Sequence, residues 1–158
     1  MDERMQSCCF SGHRVVAHAD LPDIRRRLRE TLQGLYLGGV RQFYAGGALG
    51  FDTLAAQEVL ALREVHPDVR LVLALPCPAQ NAGWRDGDAA LYEYIRAHAD
   101  EVVCVSDRYT PDCMFARNRY MADRSCVCVC YLRRVRGGTA YTVHYAARNG
   151  VKIINLAQ

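Results

Sequence analysis

Three glycine-bearing turns constrain the fold of this chain more than any other feature of its sequence. They are CCFSGHR at Cys8–Arg14, YAGGALGFDT at Tyr44–Thr53 and RGGTAYT at Arg136–Thr142, and each lies where a short apolar run gives way to a helical pattern. Strand-to-helix turns of this kind converge at the carboxyl edge of a parallel sheet. We therefore expect three separate segments of the chain to meet at one edge of one sheet.

The rest of the chain continues this alternation of strand and helix patterns. Hydrophobic periodicity predicts strands at Met5–Phe10, Gln42–Ala45, Val69–Leu75, Glu101–Val105, Ser125–Leu132 and Lys152–Asn155. It predicts helices at Asp20–Tyr36, Asp52–Val65, Ala89–Ala99, Asp112–Asp123 and Thr139–Asn149. Such spacing favours right-handed βαβ crossovers. The predicted fold class is α/β: a single three-layer Rossmann-like domain over residues 1–158, with a mainly parallel sheet of about six strands and helices on both faces.

Composition narrows the cellular setting and the chemistry. No apolar run is long enough to cross a bilayer, and Met1–Gln6 is charged, so we expect a cytoplasmic protein with no membrane partner. Its eight cysteines are then expected to be reduced thiols. Cys126, Cys128 and Cys130 alternate with valines as on one face of a strand, and they lack the spacing of a zinc site. We expect no metal and no cofactor.

The net charge of the whole chain bears on its partners. A formal charge of +3 at pH 7 is modest for 158 residues. Nonspecific binding to nucleic acid depends on a strong excess of positive charge. The composition therefore argues against a nucleic-acid partner and favours a small molecule.

The last glycine turn has the composition of a phosphate site. Gly137 and Gly138 allow close backbone approach to a ligand, and Thr139 and Thr142 offer hydroxyl groups at the start of a helix. The alternative is an ordinary glycine turn followed by a threonine N-cap. Nearby arginines add positive potential, although strand alternation prevents all of them from pointing inward: Arg133, Arg134 and Arg136.

The middle turn clusters Gly46, Gly47 and Gly50 between a strand and a helix, where a single glycine would be the ordinary finding. Its Asp52 competes with an anion for the positive end of the helix dipole. Two interpretations stay open for Asp52. It caps its own helix, or it accepts hydrogen bonds from ribose hydroxyls or a base.

The first turn supplies several polar groups directly after its strand. Ser11 offers a hydroxyl, Gly12 a backbone amide, and His13 and Arg14 two side chains that can carry positive charge. We include all four among the candidate ligand-binding residues. For His13 the alternative is a structural histidine.

The fourth predicted helix carries an arginine within an apolar or aromatic stripe. Arg117 shares this stripe with Cys113, Met114, Tyr120 and Met121. A buried arginine needs an anionic partner. That partner is either a carboxylate of the protein or a ligand phosphate held by the guanidinium fork. Asn118 extends the polar set as a further candidate ligand-binding residue.

These segments together resemble a known family. CCFSGHR, YAGGALGFDTLAA, LALPC, CMFARNRYMAD and RGGTAYTVHYA occur in the order found in the YpsA-like branch of the SLOG superfamily, and the resemblance spans nearly the whole chain. It implies a Rossmann-like fold that binds a nucleotide or nucleotide-derived ligand, of ADP-ribose or NAD type among others. It also implies a homo-oligomer.

A comparison with the LOG enzymes of the same superfamily bears on catalysis. Those enzymes cleave the N-glycosidic bond of nucleoside monophosphates with an arginine from an MxxRxxxM-like helix and a glutamate from a PGGxGTxxE turn. Met114, Arg117 and Met121 match the helix segment, but no carboxylate stands near Val143 and His144, where the glutamate is expected. Asp52 could replace that glutamate only if it faced the same pocket. The sequence does not decide whether the protein is an enzyme. If it is, Arg117 and Asp52 are the candidate catalytic residues.

Three functions follow from these features. The first is binding or sensing of a nucleotide-like ligand, which the glycine turns and the missing glutamate favour. The second is a nucleotide-processing enzyme of N-glycosidase or phosphoribohydrolase type. The third is single-stranded DNA binding of the DprA kind, against which the low net charge argues.

Overall fold

A computed structural model describes residues 2–158, and strands alternate with helices throughout them. The strands are β1 (Ser7–Gly12), β2 (Gln42–Ala45), β3 (Arg70–Leu75), β4 (Glu101–Cys104), β5 (Val127–Tyr131) and β6 (Lys152–Asn155). The helices are α1 (Leu21–Leu37), α2 (Phe51–Val65), α3 (Asp86–His98), α4 (Cys113–Asp123) and α5 (Gly138–Arg148), with short 3-10 helices at Glu3–Gln6 and His18–Asp20. Each predicted element is present, and its ends differ from the prediction by at most three residues.

The six strands form one sheet in the order β4-β3-β2-β1-β5-β6, and every neighbouring pair is parallel. From β1 the chain proceeds outward to β4, then returns to the other side of β1 for β5 and β6. The direction of travel reverses between β1 and β5, and a crevice opens at such a switch point in doubly wound sheets. The predicted α/β Rossmann-like class is confirmed, and the sheet is wholly parallel.

Helices cover both faces of the sheet because each presents an apolar stripe. On one face α1 packs against α2, and α2 against α3; on the other face α4 packs against α5. The stripe of α1 consists of Ile24, Leu28 and Leu32, which are all buried. In β3 the residues Leu71–Leu75 are buried without alternation, as expected for a strand covered on both faces.

The cysteines divide between the two sides of the sheet. Cys9, Cys128 and Cys130 are buried together under α4 and α5, where burial raises the pKa of the Cys130 thiol to about 12. Cys126 precedes β5, is half-buried and packs against the opposite core. The expectation that Cys126 shares a face with Cys128 and Cys130 is therefore wrong, because the strand begins one residue later than that pattern requires.

The three glycine turns follow β2, β1 and β5, which are adjacent strands in the sheet. Parallel strands place their carboxyl ends at one edge, so the three turns come together there, as the sequence predicts. The turns after β1 and β2 are also bonded to each other. The Phe51 N–H donates to the His13 carbonyl at 3.1 Å, which joins the start of α2 to the end of the first turn.

Gly50 makes this junction possible. Its φ of 77° lies in the left-handed region, and its Cα packs against the backbone of the first turn. A Cβ at this position would lie 2.7 Å from the His13 carbonyl oxygen and closer still to the Arg14 carbonyl. The glycine is therefore required by backbone packing.

We predict that Gly50→Ala destabilises the fold by about 2 kcal/mol or more, because it adds backbone strain to a steric clash. The matched control is Gly34→Ala, within α1, where an added Cβ would meet nothing within 4 Å. That change should stabilise the protein by about 0.5–1 kcal/mol through helix propensity. Urea unfolding of both variants measures the two free energies. Equal stabilities would show that Gly50 is a dispensable turn residue.

Candidate functional site

A cavity of about 480 Å³ opens at the switch point between β1 and β5. Its walls are the turn after β1, the start of α2, the first half of α4 and the turn that leads into α5. Ten of the predicted site residues line it: Ser11, Gly12, His13, Arg14, Asp52, Arg117, Asn118, Gly137, Gly138 and Thr139. Segments that are far apart in the sequence thus contribute to one concave site.

Four predicted site residues lie behind the cavity wall. The carbonyl of Gly46 accepts a hydrogen bond from Arg117, and Gly47 packs beside Gln80. Gly50 supports the first turn, and Thr142 is buried with its hydroxyl donating to the Gly138 carbonyl at 3.0 Å. These four residues support the residues that line the cavity, and they do not line it themselves.

Arg117 is the most constrained side chain of the site, with only 3% of its surface exposed. Its Nη1 donates to the Gly46 carbonyl, to the Ala74 carbonyl at 3.3 Å and to Oε1 of Gln80 at 3.3 Å. Its Nε donates to Oδ1 of Asn118 at 2.8 Å. Among the described residues, the only hydrogen-bond acceptor of Nη2 is the Met114 sulfur, at 4.0 Å. Three segments and α4 itself therefore hold the guanidinium.

No carboxylate lies within ion-pair distance of Arg117, and the carboxylate of Asp52 acts on it from across Gly46. No ion pair within residues 2–158 includes it. Burial lowers the pKa of Arg117, and the charge of Asp52 opposes that change. Of the two sequence interpretations, the structural salt bridge does not occur here. The hydrogen bonds satisfy most of the donors of Arg117. The cavity lining holds four arginines and one carboxylate, Asp52, so the site keeps a net positive potential.

Asp52 is the only carboxylate in the lining of the cavity as described. It stands in the first turn of α2, it is 6% exposed, and the N-cap position belongs to Gly50. Burial raises its pKa from 3.8 to about 6, although Arg117, the backbone amides of Ala48 and Gly46, and Arg14 all favour the ionised form. Asp52 thus interacts with the loop before its helix and faces the cavity, and it is not the N-cap residue.

His13 has a defined role in the first turn. Its Nε2 accepts a hydrogen bond from the backbone N–H of Arg133 at 2.9 Å, and its ring packs edge-on against Tyr131. A nitrogen that accepts a hydrogen bond carries no proton, so this histidine is neutral with its proton on Nδ1. Burial and the nearby charges of Arg134 and Arg133 lower its pKa in agreement. His13 therefore joins two turns and adds no charge to the cavity.

The positive potential of the cavity comes from arginines without ion pairs. Arg14, Arg134 and Arg136 line it together with Arg117, and none of them pairs with a carboxylate in residues 2–158. Arg133 turns away and pairs with Asp20 at 3.0 Å. Strand alternation predicts that the three arginines after β5 do not all face inward, and the structure has this arrangement.

The amino end of α5 forms one rim of the cavity. Gly137 is its N-cap, with a φ of 107° and no side-chain cap, and the first helical bond runs from the Tyr141 N–H to the Gly137 carbonyl at 3.0 Å. The amides of Gly138 and Thr139 precede this bond and have no partner within the helix. Free amides and the helix dipole favour an anion at this rim.

Sequence reasoning missed several residues of the site. Pro111 and Phe115, near the start of α4, and Phe10, on β1, add apolar surface to the lining of the cavity together with Met114. Phe115 lies one position outside the stripe that singled out Arg117, and Pro111 ends a loop without periodicity. Gln80 also lacks a signal, because it comes from the irregular segment between β3 and α3 and reaches Arg117 only through tertiary packing.

A family model described as the YspA SLOG family matches residues 15–153. The chain belongs to the YspA SLOG family. UPF0398 proteins of Bacillus thuringiensis strain Al Hakam and Bacillus cereus strain AH187 are each 26% identical to it over 136 residues, covering 84% of this chain and 74% of the relative. The family match begins after the first turn, so it does not include Ser11–Arg14, which line the cavity.

Solved structures of similar fold are DNA processing proteins A (DprA). The DprA of Streptococcus pneumoniae superposes with a TM-score of 0.67 at 14% identity over 96% of this chain, and that of Helicobacter pylori with 0.69 at 17% over 95%. This SLOG chain spans 50% and 64% of their respective lengths. At such identities the likeness establishes the fold.

The DprA neighbours correct one expectation. The Helicobacter pylori structure is described by its single-stranded DNA binding mode. The expectation that nucleic acid is an unlikely partner is therefore wrong. The net charge of +3 averages over the whole chain, whereas four arginines without ion pairs gather at one cavity.

Two further features of residues 2–158 define the setting of the site. No helix there combines the length and the apolar character that crossing a membrane requires. No group of three or more His, Cys, Asp or Glu side chains there is arranged to hold a metal ion.

We predict that Asp52 gives the protein an unusual pH dependence of stability. Its pKa is higher in the folded state, about 6, than the 3.8 of the free group, so the folded chain binds the proton more tightly. The stabilisation is complete below about pH 4 and is lost as the pH rises to about 6, with a total of roughly 3 kcal/mol. Asp52→Asn should remove this pH-dependent loss of stability, because asparagine does not titrate.

Urea unfolding of wild type and Asp52→Asn between pH 4 and 7 measures the effect as a difference of free energies. Asp107→Asn, on an exposed loop, is the matched control and should run parallel to wild type. A difference between wild type and Asp52→Asn that does not change with pH would contradict the raised pKa.

Proposed function

We propose that this protein binds a nucleotide or nucleotide-derived ligand, of ADP-ribose or NAD type among others, at the carboxyl edge of its sheet. The observation that carries the proposal is the buried guanidinium of Arg117, which lines the cavity and has no carboxylate within ion-pair distance. A buried charge of this kind is stabilised by an opposite charge. Asp52 supplies part of that charge from beyond ion-pair distance, and the anionic group of a ligand supplies the rest.

The cavity has separate regions for the parts of a nucleotide. The free amides at the start of α5, with Arg134 and Arg136, suit a phosphate. Phe115 and Met114 offer an apolar surface on which a base can pack. Asp52 offers carboxylate oxygens to ribose hydroxyls. The volume of about 480 Å³ falls within the range of small-molecule sites.

The hydrogen bonds of Arg117 restrict how it acts on the ligand. Nη1 and Nε are occupied by acceptors of the protein, which leaves Nη2 for a ligand. The guanidinium therefore cannot bind a phosphate bidentately through Nε and Nη1. The ligand accepts one hydrogen bond, from Nη2, and interacts with the positive charge of Arg117. The second anion contact comes from the rim of α5.

Catalysis is a second candidate function, favoured by the position of Asp52. The glutamate of the LOG enzymes has no counterpart in the α5 turn, but Asp52 lines the same cavity as Arg117 and Gly137. A carboxyl with a pKa of about 6 is suited to general acid–base chemistry near neutral pH. Hydrolysis of an N-glycosidic bond is the reaction that such a carboxyl can assist.

Single-stranded DNA is a candidate ligand of the same cationic surface. Arg14, Arg134 and Arg136 line the cavity, and all three are exposed. A DNA phosphate has the same chemistry as the phosphate of a nucleotide, and the fold is shared with a DprA whose described property is single-stranded DNA binding. Backbone contacts of this type weaken strongly with salt.

We predict that a nucleotide raises the melting temperature of the protein. A ligand that binds only the folded state stabilises it by about 2.7 kcal/mol at a hundredfold excess over Kd, or about 5–10 °C for a chain of this size. Thermal unfolding with AMP, ADP, NAD, ADP-ribose and an oligodeoxythymidine measures the shifts. Absence of any shift at millimolar concentration would contradict the proposal.

The same samples separate the candidate functions. Release of free base, followed by chromatography and abolished by Asp52→Asn, would establish the enzyme. A shift produced by the oligonucleotide alone, and lost at high salt, would establish DNA binding. Shifts with small nucleotides and no base release are the outcome that we expect for a binding protein.

We predict that Gln80→Glu weakens nucleotide binding by about tenfold to a hundredfold and lowers the stability by only about 1 kcal/mol, the value of the hydrogen bond from Nε2 to the Gly46 carbonyl that it loses. The new carboxylate would stand where Oε1 of Gln80 lies 3.3 Å from Nη1 of Arg117, and it would neutralise the guanidinium. Direct replacement of Arg117 is less informative, because it also removes the internal hydrogen bonds. Gln33→Glu, exposed on α1, is the control with the same change of charge.

Isothermal titration with ADP-ribose and thermal unfolding without ligand are measured on both variants. Wild-type affinity in Gln80→Glu would exclude the charge of Arg117 from binding. A large loss of melting temperature would instead indicate that the glutamine is needed for folding.

A further inference from the structure

A second cavity, of about 360 Å³, lies on the side of the sheet covered by α1, α2 and α3. Its floor is apolar and includes Leu21, Leu54 and Leu91. Thr53, Gln57 and Asp88 contribute polar atoms to its walls. A concave apolar surface with a few polar groups is the usual composition of a small-molecule site.

The two cavities adjoin at the end of the first glycine turn. Arg14 and Val15 line both of them. Val15 is 77% exposed, which makes it one of the most exposed large apolar side chains among the described residues. Arg14 is exposed and forms no ion pair there. An apolar side chain and an unpaired cation thus stand at the crest between the cavities, where a ligand that crosses it would cover both.

The two cavities differ in chemistry. The first has four arginines and free helix amides, which suit phosphates. In the second, Arg25 is occupied, since it donates to Oε1 of Gln57 at 3.1 Å and pairs with Glu58. The amide nitrogen of Gln57 remains a donor, and the carboxylate of Asp88 forms no ion pair and remains an acceptor. These groups suit hydroxyls better than they suit phosphates.

We propose that the second cavity binds the distal group of the same ligand that occupies the first, and that this group bears hydroxyls. The ligand class is then a nucleoside diphosphate whose terminal phosphate carries a further sugar-like group, with the diphosphate crossing at Arg14. This inference rests on the proposed function, since it requires a nucleotide in the first cavity. It extends that function by excluding a mononucleotide as the complete ligand.

The test compares ADP with ADP-ribose, which differ by the distal ribose. Leu91→Trp fills part of the second cavity from α3 without touching the lining of the first. The control is Leu62→Trp, which also replaces a half-buried helical leucine but lines neither cavity. Isothermal titration of wild type and both variants gives six affinities, and thermal unfolding verifies that each variant is folded.

We expect wild type to bind ADP-ribose at least about tenfold more tightly than ADP, because the distal group adds contacts. Leu91→Trp should lose this advantage and keep the affinity for ADP, whereas Leu62→Trp should keep both. Equal affinities of wild type for the two ligands, or an unchanged preference in Leu91→Trp, would overturn the inference and leave nucleotide binding intact. Failure of wild type to bind either ligand would overturn the proposed function itself.

If Leu91→Trp is unfolded, Asp88→Ala replaces it. Asp88 is exposed in the first turn of α3, so its truncation leaves the core intact, and a selective loss of ADP-ribose affinity is again expected. Equal loss for ADP and ADP-ribose in either variant would place the nucleotide itself in the second cavity and contradict the assignment.

Discussion

The burial of one guanidinium organises the carboxyl edge of this sheet. A charge removed from water is costly unless hydrogen bonds and an opposite charge compensate for it. Arg117 donates these hydrogen bonds to oxygen acceptors in the β2–α2 turn, at the end of β3, in the segment after β3 and in its own helix. No carboxylate lies within ion-pair distance of it, and Asp52 opposes its charge only from across Gly46. Folding therefore fixes four parts of the chain around a positive charge that the protein neutralises only in part.

The neighbours of Arg117 follow from this requirement. Gly46 lies so close that a Cβ there would stand 2.7 Å from Nη1 and equally near the carboxylate of Asp52, so backbone and guanidinium can meet only without a side chain. Gln80 uses both ends of its amide, one on Arg117 and the other on the Gly46 carbonyl at 3.1 Å. The glycine cluster of the middle turn thus serves the arginine and the packing of the first turn. It does not form the wall of a phosphate loop.

The fold could be predicted because its signals are local. Apolar runs and helical stripes such as Ile24–Leu28–Leu32 are read from periodicity, and alternation alone implies parallel pairing at one edge. Arg117 could also be predicted as a site residue, since a charged side chain is unexpected within an apolar stripe of a helix. The partners of such a residue are set by tertiary contacts between distant segments, and neither Gln80 nor the neutral state of His13 leaves a trace in local sequence. The net charge of the chain likewise does not reveal that four arginines gather at one cavity.

Asp52 and a bound anion are linked through the same charge. The carboxylate and the anion both depend on Arg117 and Arg14, and each disfavours the other by repulsion. An anion in the cavity therefore favours the protonated form of Asp52, and by linkage protonation favours the anion. With a pKa of about 6 in the unliganded site, Asp52 is mostly ionised at neutral pH and can take up a proton when the anion arrives. A carboxylic acid that becomes protonated beside a bound nucleotide can donate a hydrogen bond to it, and it is also the state that a general acid requires. Ligand binding and the catalytic alternative thus both depend on the charges of Arg117 and Arg14 acting on Asp52. The two functions differ in whether a scissile bond of the ligand lies within reach of the proton on Asp52.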